Sequence, residues 1–247
     1  MRKLLSYTRR AVDDYNMINE GDRIAVGVSG GKDSIALMLA LNGLKRFYPK
    51  KFELVAITLS LGFEGADYSP LIKLCEENDI ELIIEQTNIA EIVFDIRKEE
   101  SPCSLCAKMR RGALHDVAIK HGCNKVALGH HNDDVIETFF LCLFQEARLS
   151  CFAPVTYLDR RNITLIRPFI YVPENEIKHF IKANNIEIIH NPCPADGVTK
   201  RQYMKDLIRD LCKENIGLKE RIFHAVNTSK IDGWGGDIKN VSDSGNK

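Results

Sequence analysis

The feature that most constrains this chain is Ser29-Gly30-Gly31-Lys32-Asp33-Ser34. It stands between an apolar run at residues 23–28 and a stretch where Ile35, Leu37, Met38, Leu39 and Leu41 continue with helical spacing. A strand that ends in glycines and opens a helix aims several free backbone N–H groups, and the positive end of a helix dipole, at one point. That point suits an anion. The glycines let the backbone come close to phosphate oxygens, Ser29 and Ser34 can donate hydrogen bonds, and Lys32 adds a cation. The loop is not a Walker loop, which would need Gly where Val26 stands and Ser or Thr where Asp33 stands.

Similar units follow. Residues 54–59 read as a strand, 70–78 as a helix capped by Ser69 with Pro70 in its first turn, and 82–84 as a strand. Residues 105–121 read as a helix, 125–128 as a strand and 133–144 as a largely buried helix. Beyond lie a weaker strand at 164–166, a helix from Pro173 to about Asn184, a loop over 190–198 and a helix over about 201–215. Short apolar strands alternating with helices predict an α/β fold, a parallel sheet with helices on both faces. The expected organisation is an N-terminal helical segment (1–20), a catalytic domain (21–215) and a C-terminal helix with a tail (216–247) whose last fifteen or so residues look frayed.

Composition narrows the setting. The longest strongly apolar run, residues 139–144, is far short of the roughly 20 residues that cross a bilayer, and no signal-peptide core develops after Met1. A cytoplasmic protein without a membrane partner is expected, and eight cysteines in such a compartment stay reduced. With 34 basic and 34 acidic residues, any nucleic-acid partner must be held by a local basic face. Two are on offer: Arg201, Lys205 and Arg209 at i, i+4, i+8, and Arg2, Lys3, Arg9 and Arg10. Asp206 and Asp210 beside the first equally fit a charge-balanced exposed surface.

Cys103 and Cys106 form a CxxC at the start of a predicted helix, and Cys193 lies in a Pro-Cys-Pro loop. Three thiolates could hold a 4Fe-4S cluster with one iron left open; a structural zinc with His190 or another cysteine, and a redox dithiol, fit the spacing as well. Cys75, Cys123, Cys142, Cys151 and Cys212 read as small buried hydrophobes, Cys151 from within a loop. His130-His131-Asn132-Asp133-Asp134 follows a strand end, where parallel sheets place their ligands, and its carboxylates suit helix capping, magnesium or base chemistry. Arg110 and Arg111 suit neutralising ATP or RNA, or a solvated helix face.

The hexapeptide resembles the PP-loop of the ATP-pyrophosphatase superfamily, with its adenine nucleotide alpha-hydrolase-like fold. Cys103-Ser-Leu-Cys106-Ala-Lys-Met-Arg-Arg111-Gly112 and Leu128-Gly129-His130-His131-Asn132-Asp133-Asp134, with Glu137-Thr138-Phe139-Phe140, Arg167-Pro168-Phe169 and Pro192-Cys193, resemble the tRNA 2-thiocytidine synthetase family over about residues 20–210. The resemblance implies ATP and Mg2+ as cofactors, cleavage between the α and β phosphates, and a 4Fe-4S cluster on Cys103, Cys106 and Cys193. It implies a catalytic set of Asp133, Lys32 and Arg110, and nucleotide contacts from Ser29, Gly30, Gly31, Lys32, Asp33, Ser34, His131 and Arg111.

The implied reaction adenylates a pyrimidine C2 carbonyl of tRNA, for which an anticodon-loop cytidine is the expected site, and replaces its oxygen by sulfur carried on the cluster. A cysteine desulfurase is the expected sulfur source, and a homodimer is left open. Residues 146–154 depart from the family's usual Gly-Gly and Met-Pro-Pro stretch, and the family's second downstream cysteine is Asp196 here. A PP-loop sulfurtransferase acting on another nucleoside or a small molecule, and a non-catalytic metal-binding RNA- or nucleotide-binding protein, are the alternatives.

Overall fold

Period-two burial along the strands sets the layers. The computed structural model describes residues 1–63, 65–97, 102–189 and 200–235. In β1 (Asp22–Gly27), Ile24 and Val26 pack into one core, which also holds Ile35, Leu37 and Met38 of α2 (Lys32–Lys45). The intervening Ala25 packs into a second core with Leu114, Val117 and Ala118 of α4 (Pro102–Lys120). A sheet apolar on both faces must be covered on both, and α2 and α4 cover it from opposite sides.

The sheet has six strands in the order β3-β2-β1-β4-β6-β5. They are β2 (Phe52–Ser60), β3 (Glu81–Gln86), β4 (Lys125–Ala127), β5 (Val155–Leu158), β6 (Ile163–Ile166) and the central β1. Parallel pairing joins β3, β2, β1, β4 and β6, as the alternating pattern requires. The edge strand β5 is antiparallel to β6, so the sheet is parallel in all but this one pairing. Only four residues, 159–162, separate the two strands, too few for a crossover, so the chain has to turn straight back.

From β1 the chain winds outward through β2 and β3 and then returns to place β4 on the other side of β1. The loops after β1 and β4 therefore diverge and leave a crevice at their carboxyl ends, where open α/β sheets bind ligands. The remaining helices are α1 (Arg2–Asp14), α3 (Ser69–Glu77), α5 (Asn132–Glu146), α6 (Glu174–Ala183), α7 (Lys200–Glu214) and α8 (Leu218–Thr228), with one turn of π-helix at Glu91–Ile96.

Two local readings change. Ser69 is the first residue of α3 and does not cap it with its side chain; its amide N–H instead donates to Asp67 Oδ1 at 2.9 Å. The frayed tail cannot begin before Trp234, which is 1% exposed and donates its indole N–H to Phe152 O at 3.0 Å. Residues 236–247, and the loop carrying His190 and Cys193, lie outside the described residues. Among the described residues no helix is long and apolar enough to cross a membrane.

Candidate active site

The glycine loop takes the shape its sequence predicts. Gly30 sits at φ +84°, a left-handed conformation that glycine adopts without strain, and a Cβ there would lie 2.6 Å from Ile189 Cβ. Gly129, after β4, brings its backbone against the first turn of α2: a Cβ would lie 3.2 Å from Ser34 N. Gly31 is the N-cap of α2 and supplies no side-chain cap, so this helix start presents unclaimed N–H groups. Ser34 Oγ braces the loop, donating to Gly31 O at 2.9 Å and accepting from Ser29 N at 3.1 Å.

A cavity of about 400 Å³ opens here, lined by Ser29, Asp33 and Ser34 of the loop, Ile57 and Leu59 of β2, Arg110, Arg111 and Leu114 of α4, and Gly129, His130 and Asp134. Of the expected residues, the structure thus brings Ser29, Asp33, Ser34, Arg110 and Arg111 to one cavity. Asp33 Oδ1 and His130 Nδ1 are buried there without a hydrogen-bond partner. Unsatisfied buried polar atoms beside an uncapped helix start and two arginines fit a phosphate-bearing ligand, and a buried carboxylate oxygen fits a hard cation such as magnesium. The His130 ring packs on Phe152 with centroids 4.9 Å apart. Burial, with Arg167 nearby, pushes its pKa down to about 4, so it lines the cavity as a neutral imidazole.

His131 caps α5. Its Nδ1 accepts from Asp134 N at 3.4 Å and its own amide donates to Asp134 Oδ2 at 2.9 Å, a capping box built on histidine. With Nδ1 accepting, Nε2 carries the hydrogen, 3.7 Å from Asp33 Oδ1.

Asp133 turns away from this cavity. Its Oδ2 accepts from Glu174 N at 2.7 Å and its Oδ1 from Lys219 Nζ of α8 at 2.5 Å. Burial alone would raise this carboxyl; Lys219 and the Glu174 amide outweigh it and hold the group below the usual carboxylate range. Lys32, expected in the same set, reaches Asp33 at 2.9 Å and Glu174 at 3.1 Å. Burial works against its ammonium, but those two carboxylates keep its pKa above the ordinary lysine value. Neither Glu174 nor Lys219 is visible as a site residue in the sequence. The only signal is the helix-opening Pro173-Glu174, because both partners come from distant segments.

Cys103 and Cys106 occupy the first turn of α4, the former exposed and the latter half-buried beside the Leu61, Ile89 and Val93 cluster. Residues 103, 106 and 110 are spaced i, i+3, i+7, so the thiols share a stripe of α4 with the cavity-lining Arg110, which lies roughly 6 Å along the axis from Cys106 at ~1.5 Å per residue. Two soft donors on one face fit an iron–sulfur cluster or zinc. Cys193, the third expected ligand, lies outside the described residues. Cys75, Cys123, Cys142 and Cys151 are buried, as their bland reading expects, and Cys151 donates its thiol to Val135 O at 3.5 Å. Cys212 is half-buried.

The two basic faces are largely neutralised. Arg9 and Arg10 pair with Asp13 and Asp14, Lys3 with Glu176, and Arg209 with Asp206. Arg201 and Lys205 turn inward to Glu137 and Glu174.

A PP-loop domain family matches residues 4–212. The tRNA-cytidine(32) 2-sulfurtransferases of Geobacter metallireducens and Geobacter sulfurreducens are each 40% identical over 228 residues, covering 91% of this chain and 89% of theirs. Among solved structures, the U34-tRNA thiolase NcsA from Methanococcus maripaludis with its [4Fe-4S] cluster is 26% identical with a TM-score of 0.73, covering 89% of this chain and 76% of that one. The NH3-dependent NAD synthetase from Campylobacter jejuni, 17% identical with a TM-score of 0.50, covers 90% of each chain and shares the fold.

Proposed function

The chain belongs to the PP-loop family of tRNA 2-sulfurtransferases and is a tRNA sulfurtransferase, and from that premise we propose that it converts an anticodon-loop cytidine to 2-thiocytidine with ATP. In this reaction the C2 carbonyl oxygen of the base attacks the α-phosphorus of ATP and pyrophosphate leaves. A sulfur nucleophile then adds to C2, and AMP departs with the former carbonyl oxygen. The observation that carries the reading is the shared stripe of α4. The helix that puts Arg110 and Arg111 into the wall of the phosphate cavity carries Cys103 and Cys106 one to two turns away.

The chain's own groups divide the task. The Ser29–Ser34 loop and the start of α2 hold phosphates through backbone N–H groups, with Lys32 as their cation. Arg110 and Arg111 neutralise charge where the base and the α-phosphate meet, and Asp33 offers its unpartnered oxygen to magnesium. The neutral His130 and the apolar Leu59 and Leu114 exclude water that would hydrolyse an adenylate. Asp133 is a positioning group that fixes α6 and α8 beside the loop. Cys103, Cys106 and Cys193 would hold a 4Fe-4S cluster, which would supply a binding place for the incoming sulfur, with a cysteine desulfurase as the expected source. The target base must leave its stack to enter, which a single-stranded loop allows.

Mass spectrometry of tRNA nucleosides tests this. A deletion strain should lack 2-thiocytidine, the wild-type gene should restore it, and Cys106→Ala should not. Unchanged 2-thiocytidine in the deletion strain refutes the reading; loss of a different thionucleoside transfers it to another base.

A further inference from the structure

Three ammonium groups from three helices close on one carboxylate. Glu174 opens α6 and is 8% exposed. Its Oε1 lies 3.1 Å from Lys32 Nζ of the loop, its Oε2 lies 3.0 Å from Lys178 Nζ of α6, and both oxygens lie 3.0 Å from Lys205 Nζ of α7. Its backbone N–H donates to Asp133, which Lys219 holds in turn, so the start of α6 is anchored from α5 and α8 as well. Burial would raise the Glu174 carboxyl, but the three lysines pull it down to about 2, and it is ionised throughout the working range.

The charges at this junction do not balance. Lys32, Lys178 and Lys205 face Glu174 and Asp33, three cations against two anions. Ammoniums that share a carboxylate also lie close enough to repel one another strongly in a half-buried site. An anion is wanted, and the adjoining loop is built to receive one. An entering polyphosphate must draw Lys32 away from Glu174. Were Lys32 the only partner, that would strand a buried carboxylate, the most expensive way to break an ion pair. Lys178 and Lys205 remove the difficulty, because they stay on Glu174 after Lys32 has left.

We propose that Glu174 is the positioning residue of Lys32, holding the loop lysine at the edge of the phosphate site, and that Lys178 and Lys205 allow its transfer to the polyphosphate of the incoming nucleotide. This rests on ATP being the substrate of the loop.

The test measures binding of inorganic pyrophosphate to the full-length protein by calorimetry, alongside kcat and KM for ATP in tRNA thiolation. Lys178→Met alters an exposed lysine and Lys205→Met a half-buried one, and each should weaken pyrophosphate about tenfold, roughly 1.4 kcal/mol, because Glu174 then grips Lys32 harder. Adding Glu174→Gln to Lys205→Met should restore the affinity while kcat stays low, since Lys32 no longer has a competitor and no longer has an address.

Pyrophosphate affinity unchanged in both single variants overturns the proposal. So does a double variant that binds as weakly as Lys205→Met, which would make Lys205 a direct phosphate contact. If the double variant does not fold, Lys178→Met decides alone. Lys178 lines a separate cavity of about 660 Å³ with Tyr7, Arg10 and Lys219 and does not line the phosphate cavity. A wild-type protein that binds pyrophosphate but thiolates no tRNA defeats the functional reading and leaves this comparison valid.

Discussion

Glu137 lies one helical turn beyond Asp133 and Asp134 on α5, buried, with Arg201 Nε 3.3 Å from its carboxylate. Burial dominates its environment and the charge of Asp134 adds to it; Arg201 does not compensate, and the carboxyl is pushed up from 4.5 to about 7. Between those values the folded chain keeps a proton that the unfolded chain has lost, so stability from this group is full below the lower value and falls as pH rises through the upper. Glu137→Gln should therefore raise the unfolding free energy measured in urea near pH 8, by at most about 3.5 kcal/mol at ~1.4 kcal/mol per pH unit, and give no gain near pH 4.5. Equal effects at both pH values would refute this account. At this scale the sequence was legible where chemistry is local. Ser29 to Ser34 and the CxxC pair declare themselves by spacing. Lys219 and Glu174 do not, because they meet Asp133 across 86 and 41 positions, and only the folded chain brings them together.

The elements follow their apolar periodicity closely, and the exception is informative. Val155 to Leu158 is only half-buried and has no strong apolar run, so β5 passes for loop, although Asp159 to Asn162 after it have turn chemistry. Asn162 does adopt a left-handed φ of 48° there. The junction of β1 with α2 is the best-specified piece of the chain, and Gly30 is its most demanding position. Gly30→Ala forces a side chain into φ +84° and against Ile189, whose amide donates to Gly30 O at 3.0 Å. That should cost about 1–3 kcal/mol and lower ATP affinity at least tenfold, measured by thermal melting and calorimetry. A variant with unchanged ATP affinity would show that the loop's conformation does not set the phosphate site.

Across the whole molecule, the two ends of the described chain are joined at the single tryptophan. Trp234 packs edge-on to Tyr15 after α1 and to Phe223 of α8, with ring centroids 6.0 and 5.9 Å apart, and its indole fixes the loop that carries Phe152 against His130. Trp234→Ala should destabilise the protein by about 3–5 kcal/mol, the usual range for emptying a buried aromatic site, as read by circular dichroism in urea. A loss below about 1 kcal/mol would mean that the C-terminal segment is only loosely attached. Composition suggested a tail here because Gly, Asp and Ser surround the tryptophan; one large side chain outweighs those neighbours once it finds a pocket. The two rims of the sheet have a consequence for assembly. β3 brings Glu81 and Glu85 to one margin, and β5 at the other is four residues long and reversed. Neither offers a neighbour a long uncharged template for backbone pairing. Charge on one margin and the short, reversed strand on the other therefore disfavour edge-to-edge strand addition between copies of this protein.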